Sequence, residues 1–355
     1  MHRWFMFMLL VATVPLTASS ALFAAEGMSD QEVLERLTTE RPSDRAISKG
    51  LAWLRTQQVE DGHIECDGRN ATALTALGLM AHFSAGIDFH DPEQGPWLRR
   101  AVLYVLSKQD PSGYFGRADN SRMYGHGICT LMLAEALGTS GDAVLEEQLR
   151  AALERAVAVT VAAARVPKQL PHTGGWHYEP AAADSDLSLS GWQIMGLHAA
   201  QQVGVTVPEE VVAGAVAYAQ RMTSADGKVA YDNPGGDSVA LRGLGMLCFA
   251  IGRKDDDKLV DLIAERIERN PLTWDGAWFF YRSYYDAVGM SRAKPERWER
   301  YGPRLEAVLV EHQDAAGNWT SPPNGNEGEH GKVYMTSMAI MALTVNRHVL
   351  PAYQR

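Results

Sequence analysis

Two side chains in this sequence have the type and setting for proton chemistry. Asp186 ends the run Asp184-Ser185-Asp186 and stands directly before the largely apolar stretch Leu187-Ser188-Leu189-Ser190. A carboxylic acid there can serve as a general acid or anchor a substrate. It can equally cap a helix by accepting bonds from the free N–H groups of the first turn. His126 lies between Gly125 and Gly127. Beside a carboxylate its imidazole would complete an acid–base pair, whereas alone in a glycine-flanked segment it is a hydrogen-bonding strut. Aromatic residues crowd the same regions: Tyr124, Trp176, Tyr178, Trp192, Trp278, the run Phe279 to Tyr285, Trp319 and Tyr334. Their faces can line an apolar pocket or shield a cation, and they can equally be packing wedges. Tyr124, Trp176, Trp192, Phe279, Tyr281, Tyr284 and Tyr334 are the candidates for a ligand-binding wall.

Other combinations are bland or absent. His172/His177 and His312/His330 lack metal-ligand spacing and read as loop residues. Cys66, Cys129 and Cys248 are an odd number, far apart and without CxxC spacing, so they read as small buried apolar residues. No nucleophile elbow, P-loop, dinucleotide-binding fingerprint or His-Glu-x-x-His is present.

The elements that must position these residues come from an internal repeat. Six turns share a Gly followed by an aromatic or apolar residue: Gly62-His63-Ile64, Gly113-Tyr114-Phe115, Gly174-Gly175-Trp176, Gly227-Lys228-Val229, Gly276-Ala277-Trp278 and Gly317-Asn318-Trp319. Gln58, Gln109 and Gln313 precede three of them at matching distance. After each turn comes an apolar helix rich in small residues, placed in register on Thr72, Thr130, Ser190, Ala240, Ser283 and Thr336. Helices apolar on all sides suit an inner ring, and the more amphipathic segments 96–108 and 209–221 suit an outer one. The expectation is an all-α fold, an α/α toroid of about six helical hairpins over residues 45–355 in a single domain. In this register His126 and Asp186 both stand four residues before their helix's reference position, which predicts that neighbouring hairpins bring them to one rim.

Residues 1–25 have the layout of a Sec signal peptide: His2 and Arg3, an apolar run from Trp4 to about Leu16, then small residues to Ala25. Residues 26–44 read as a lead-in. Secretion or periplasmic residence is therefore expected, with no transmembrane domain in the mature chain. The net charge of −10, or −11 once Arg3 is lost with the signal, argues against nucleic acid as a partner.

The repeats resemble the squalene cyclase/protein prenyltransferase (terpene cyclase) superfamily, most closely its exported bacterial members. The resemblance rests on Met123-Tyr124-Gly125-His126-Gly127, Gly174-Gly175-Trp176-His177-Tyr178, Asp186 with Ser190-Gly191-Trp192-Gln193, and Val333-Tyr334-Met335-Thr336 with Leu350-Pro351. It implies an isoprenoid-sized cavity. The prenyltransferase zinc site would need a Cys where Ser188 stands and a His where Met335 stands, so no metal and no cofactor is expected. The cyclase acid motif Asp-x-Asp-Asp is reduced to Asp186-Leu187-Ser188-Leu189. The reading that follows is an exported toroid binding a hydrophobic small molecule in its cavity, or an envelope protein around it, with the superfamily's catalytic motifs largely lost. An enzyme of cyclase or lyase type using Asp186 as general acid, with His126 as its partner, is the alternative. A glycan-processing toroid is the third, and it would need a second carboxylate facing Asp186.

Overall fold

Residue spacing explains the outer layer directly. In Lys258–Arg269 the buried residues are Val260, Ile263, Ala264 and Ile267, one apolar stripe of an otherwise charged helix. The inner helices have no such stripe: Ala71–Ser84 is buried along nearly its whole length. The computed structural model describes residues 40–65, 69–253 and 258–347. The proposed signal peptide, most of the lead-in, Cys66 and Leu350-Pro351 lie outside the described residues.

Twelve α-helices are found among the described residues, alternating between two layers. The outer ones are α1 (Pro42–Thr56), α3 (Gly95–Ser107), α5 (Ala143–Ala164), α7 (Glu209–Arg221), α9 (Lys258–Arg269) and α11 (Pro295–Glu311). The inner ones are α2 (Ala71–Ser84), α4 (Arg122–Ala136), α6 (Leu187–Gln202), α8 (Arg242–Ile251), α10 (Phe279–Ser291) and α12 (Gly331–Thr344). Each inner helix packs on the next, and α12 packs back on α2, closing the ring. From Ser43 onward the described residues form one compact unit, and none of their helices is long and apolar enough to cross a membrane. This is the expected α/α toroid.

The repeat motif has a mechanical meaning. All six turn glycines have positive φ, from 79° to 99°, a conformation glycine adopts without steric cost. Five of them press on the outer helix of the following repeat. A Cβ on Gly113 would lie 2.6 Å from Arg155 O of α5, and one on Gly317 would lie 2.5 Å from Lys49 O of α1. The three glutamines staple the same joints. Gln58 Nε2 donates to Gly62 O and Trp97 O, Gln109 Nε2 to Gly113 O and Ala152 O, and Gln313 Nε2 to Gly317 O and Ala46 O. The Gln313 staple joins the last repeat to the first.

The inner-helix register differs from the sequence expectation in the first two repeats. The residue two after the turn glycine bonds through its N–H to Thr75 Oγ1, His126 Nδ1, Ser190 Oγ and Thr336 Oγ1 in repeats one, two, three and six. The equivalent positions are therefore Thr75 and His126 rather than Thr72 and Thr130. A helix that is apolar on every side carries no phase in its hydrophobic pattern, so an alignment on small residues slips by about a turn.

Candidate functional site

The ring encloses a cavity of about 620 Å³. Its wall comes from the N-terminal halves of five inner helices, from the segment that leads into the sixth, α8, and from the loops before the others. One side is aliphatic, with Leu74, Leu77 and Ile128, and the rest is mainly aromatic. Of the residues expected there, Tyr124, Trp192, Tyr281 and Tyr334 line it. Trp176, Phe279 and Tyr284 do not. The Trp176 indole donates to Thr160 O between α6 and the outer layer. Phe279 meets Trp274 edge-on, and Tyr284 stacks behind Trp192 at 6.0 Å. In the Phe279 to Tyr285 run the helical period turns only Tyr281 to the cavity. Tyr178, Tyr231 and Trp278 complete the aromatic wall. Tyr178 and Trp278 belong to turn motifs visible in the sequence, whereas Tyr231 sits in an irregular loop with no periodic signal.

Behind this wall lies Asp186, fully buried. It is the N-cap of α6: Oδ1 accepts from Leu189 N at 2.7 Å and from Ser188 Oγ at 2.6 Å. Oδ2 completes no hydrogen bond. His177 Nε2 lies 3.5 Å from it, and the other nitrogen of that ring is 3.2 Å from the exposed Asp184. The Tyr231 phenol also acts on the Asp186 carboxylate. Burial raises the Asp186 pKa, opposed by the bonds from Ser188 and Leu189 and by His177. Ser188 connects this carboxyl to the cavity. Its Oγ meets the Tyr124 hydroxyl, and its carbonyl accepts from Tyr281 OH at 3.1 Å. Burial holds the Tyr124, Tyr281 and Tyr334 phenols well above their ordinary pKa, so they present neutral hydroxyls. Asp186 thus reaches the cavity through other side chains rather than by lining it.

His126 is placed elsewhere. Its Nε2 is 3.1 Å from both Ala156 O and Thr160 Oγ1 of α5, and its Nδ1 accepts from Phe115 N. The imidazole fills the joint between the inner and outer layers, and it does not line the cavity. Burial pushes its pKa down to about 4, which keeps it neutral. The expected His126–Asp186 pair does not form; the imidazole beside Asp186 is His177. The displacement follows from the register difference, since His126 occupies the position of Ser190, not of Asp186.

Three further carboxylates matter, and sequence reasoning missed them. Glu327 is fully buried and accepts from Phe280 N (2.8 Å), Tyr281 N (3.0 Å) and Tyr334 OH (3.2 Å). It caps α10, whose own N-cap, Trp278, is left-handed and offers no side-chain bond. Asp119 Oδ2 likewise caps α2 through Thr72 N and Ala73 N. Asp286 accepts from Gly243 N at the start of α8 and pairs with Arg282 Nε at 3.1 Å. Each caps a helix other than its own, across 43 to 47 residues of sequence. Local capping patterns cannot show such partners. Among the described residues no three His, Cys, Asp or Glu side chains gather as metal ligands, and Cys129 and Cys248 are both buried free thiols.

No family model matches the chain, and no curated protein shows significant similarity to it. Solved structures do share its fold. A protein from Actinoplanes is 14% identical with a TM-score of 0.53, covering 85% of this chain and 98% of its own. The type II terpene cyclase MstE from Scytonema, without ligand, is 13% identical with a TM-score of 0.51, over 87% of this chain and 99% of that one. A variant of that cyclase in complex with its substrate, geranylgeranyl dihydroxybenzoate, is 12% identical with a TM-score of 0.54, over 87% and 98%. At these identities the likeness establishes a terpene cyclase-like α/α toroid and leaves activity to the site itself.

Proposed function

We propose that this chain is an exported toroid that binds a hydrophobic, isoprenoid-like small molecule in its central cavity. The observation that carries the reading is the cavity itself, about 620 Å³ in volume and walled by Leu74, Leu77, Ile128, Trp192 and neutral phenols. A volume of this size suits a drug-sized apolar ligand held by a few placed hydroxyl groups. The complex of the Scytonema cyclase with a geranylgeranyl compound supports the choice of ligand class. Export rests on the signal-like composition of residues 1–25. Ser188 and Met335 in place of metal ligands, and Leu187, Ser188 and Leu189 in place of an acid cluster, favour binding over the superfamily's chemistries.

Native mass spectrometry with solvent extraction of the protein purified from its own envelope tests this. A co-purifying lipid or isoprenoid near one per chain is expected. A chain that carries none and takes up none on incubation with isoprenoids would overturn it, in favour of an envelope protein bound at the rim.

One observation favours a second reading, an enzyme of cyclase or lyase type with Asp186 as acid. Asp186 combines complete burial, a raised pKa and a carboxylate oxygen without a hydrogen bond, an environment that shifts a carboxyl towards its protonated form. With the proton on Oδ1 and the Ser188 hydroxyl turned towards Tyr124, the acid would pass a proton to Ser188 as Ser188 passes its own to Tyr124 at the cavity. Asp186→Asn would abolish turnover of any ligand found while leaving its retention intact; unchanged turnover would remove this reading. The glycan-processing reading loses support because both Glu327 oxygens are taken by α10 and Tyr334.

A further inference from the structure

An apolar tail in the cavity leaves a ligand's other end at the mouth, where a polar sector interrupts the aromatic and aliphatic lining. Asn70, Asn120 and Arg122 all line the cavity, and all three have left-handed backbones, with φ of 52°, 60° and 57°. Asparagine tolerates this conformation, but arginine takes it at a cost of about 1 kcal/mol or more. Arg122 is held there by its neighbours. Its N–H donates to Gly116 O at 3.0 Å, and a Cβ on Gly116 would lie 2.0 Å from Arg122 O. The strain is thus maintained by a glycine that no other residue can replace.

The donors in this sector are largely uncommitted. Arg122 is the only lysine or arginine on the cavity wall among the described residues. It makes one ion pair, Nε to Glu179 Oε1 at 3.5 Å, with both side chains about half exposed. Such a pair contributes little in water. The guanidinium also lies over the Tyr178 ring, 5.9 Å from its centre. Neither Asn70 nor Asn120 uses its side-chain amide on another described residue; Asn70 gives α2 no cap bond, because Asp119 from the next repeat does so. Asp119, in the same loop as Asn120, is occupied by Thr72 N, Ala73 N and Ser121 N. A guanidinium presents paired N–H donors that match the oxygens of a carboxylate or phosphate, and two amides beside it add further donors.

We propose that Arg122, flanked by Asn70 and Asn120, binds an oxyanion head group, a carboxylate or a phosphate monoester, on the ligand whose hydrocarbon fills the cavity. The assignment rests on the cavity-binding reading above and narrows it to acidic amphiphiles. Glu179 is displaced from Arg122 when the head group docks.

The test is tryptophan-fluorescence titration of the full chain with geranylgeranyl phosphate, geranylgeranoic acid and geranylgeraniol. At least one anion is expected to bind about tenfold or more tighter than the alcohol; the phosphate alone, the acid alone or both would identify the head group. Arg122→Gln should remove that advantage, weakening the anion far more than the alcohol, and Arg122→Lys should restore part of it. Arg122→Gly, which relieves the backbone strain, should behave as Arg122→Gln does, so that loss of the advantage is not a folding defect. Equal binding of all three compounds, or an advantage that survives in Arg122→Gln and Arg122→Gly, would overturn the head-group assignment while leaving the cavity reading in place. Failure of all three to bind would overturn both.

Discussion

The Asp186 and Glu327 corners of the ring look alike at first. Each places a fully buried carboxylate at the N-terminus of an inner helix, next to tyrosines that face the cavity. They differ in how far the carboxylate is spent. Glu327 accepts from two backbone N–H groups and a phenol, leaving neither oxygen free. Asp186 satisfies its helix with one oxygen and leaves the other without a hydrogen bond, 3.5 Å from His177 Nε2. A buried acceptor left unmet costs free energy that an ordinary cap avoids. The lesson is that burial and a raised pKa mark both residues, and the oxygen left without a hydrogen bond is what distinguishes Asp186 from Glu327.

The largest expected effect is at the spent corner. Glu327→Ala strands Phe280 N, Tyr281 N and the Tyr334 hydroxyl, and it should lower unfolding free energy in urea by about 3 kcal/mol. A loss as small as that of an exposed residue would make the two corners equivalent.

His126 sharpens the contrast next, because the sequence pairs it with Asp186 and the structure gives it to the joint between the inner and outer layers. Its pKa of about 4 in the folded chain lies below the unfolded value of 6.5. The folded state therefore binds fewer protons between those values, and the stability His126 contributes is lost as pH falls from 6.5 towards 4. Between pH 7 and pH 5 the stability advantage of wild type over His126→Gln should shrink by about 2 kcal/mol. An advantage that grows on acidification would mean a charged, site-like imidazole.

The smallest effect belongs to Asp186 itself. Asparagine retains an oxygen for the Leu189 and Ser188 bonds, and Oδ2 has no bond to lose, so Asp186→Asn should cost about 1 kcal/mol or less. Thermal melts of this variant beside Glu327→Ala read the difference, and equal losses would show that the second oxygen of Asp186 is as fully engaged as those of Glu327.

The repeat was legible because its parts are local. A turn glycine, an aromatic two residues on and a glutamine at fixed distance all lie within one short segment, and each has a mechanical task at the joint between repeats. The capping position of Asp186 and four of the aromatic wall residues followed from the same segments, whereas the burial of Asp186 behind the wall did not. Phase was not legible. Inner helices buried on all sides carry no amphipathic signal, so the register slipped in α2 and α4, and His126 was assigned to the rim although it lies about one turn further along its helix. The long-range caps Asp119, Asp286 and Glu327, and the loop residue Tyr231, depend on chain segments that meet only when the ring closes.

Occupation of the cavity is the central claim, and blocking it is the most direct test. Ile128 lines the aliphatic side and is largely buried, so Ile128→Trp fills the cavity from a helix that keeps its other contacts. Titration calorimetry with geranylgeraniol should show saturable binding of one molecule per wild-type chain and none to a folded Ile128→Trp variant. Equal binding to both proteins, or binding to neither, would contradict the account.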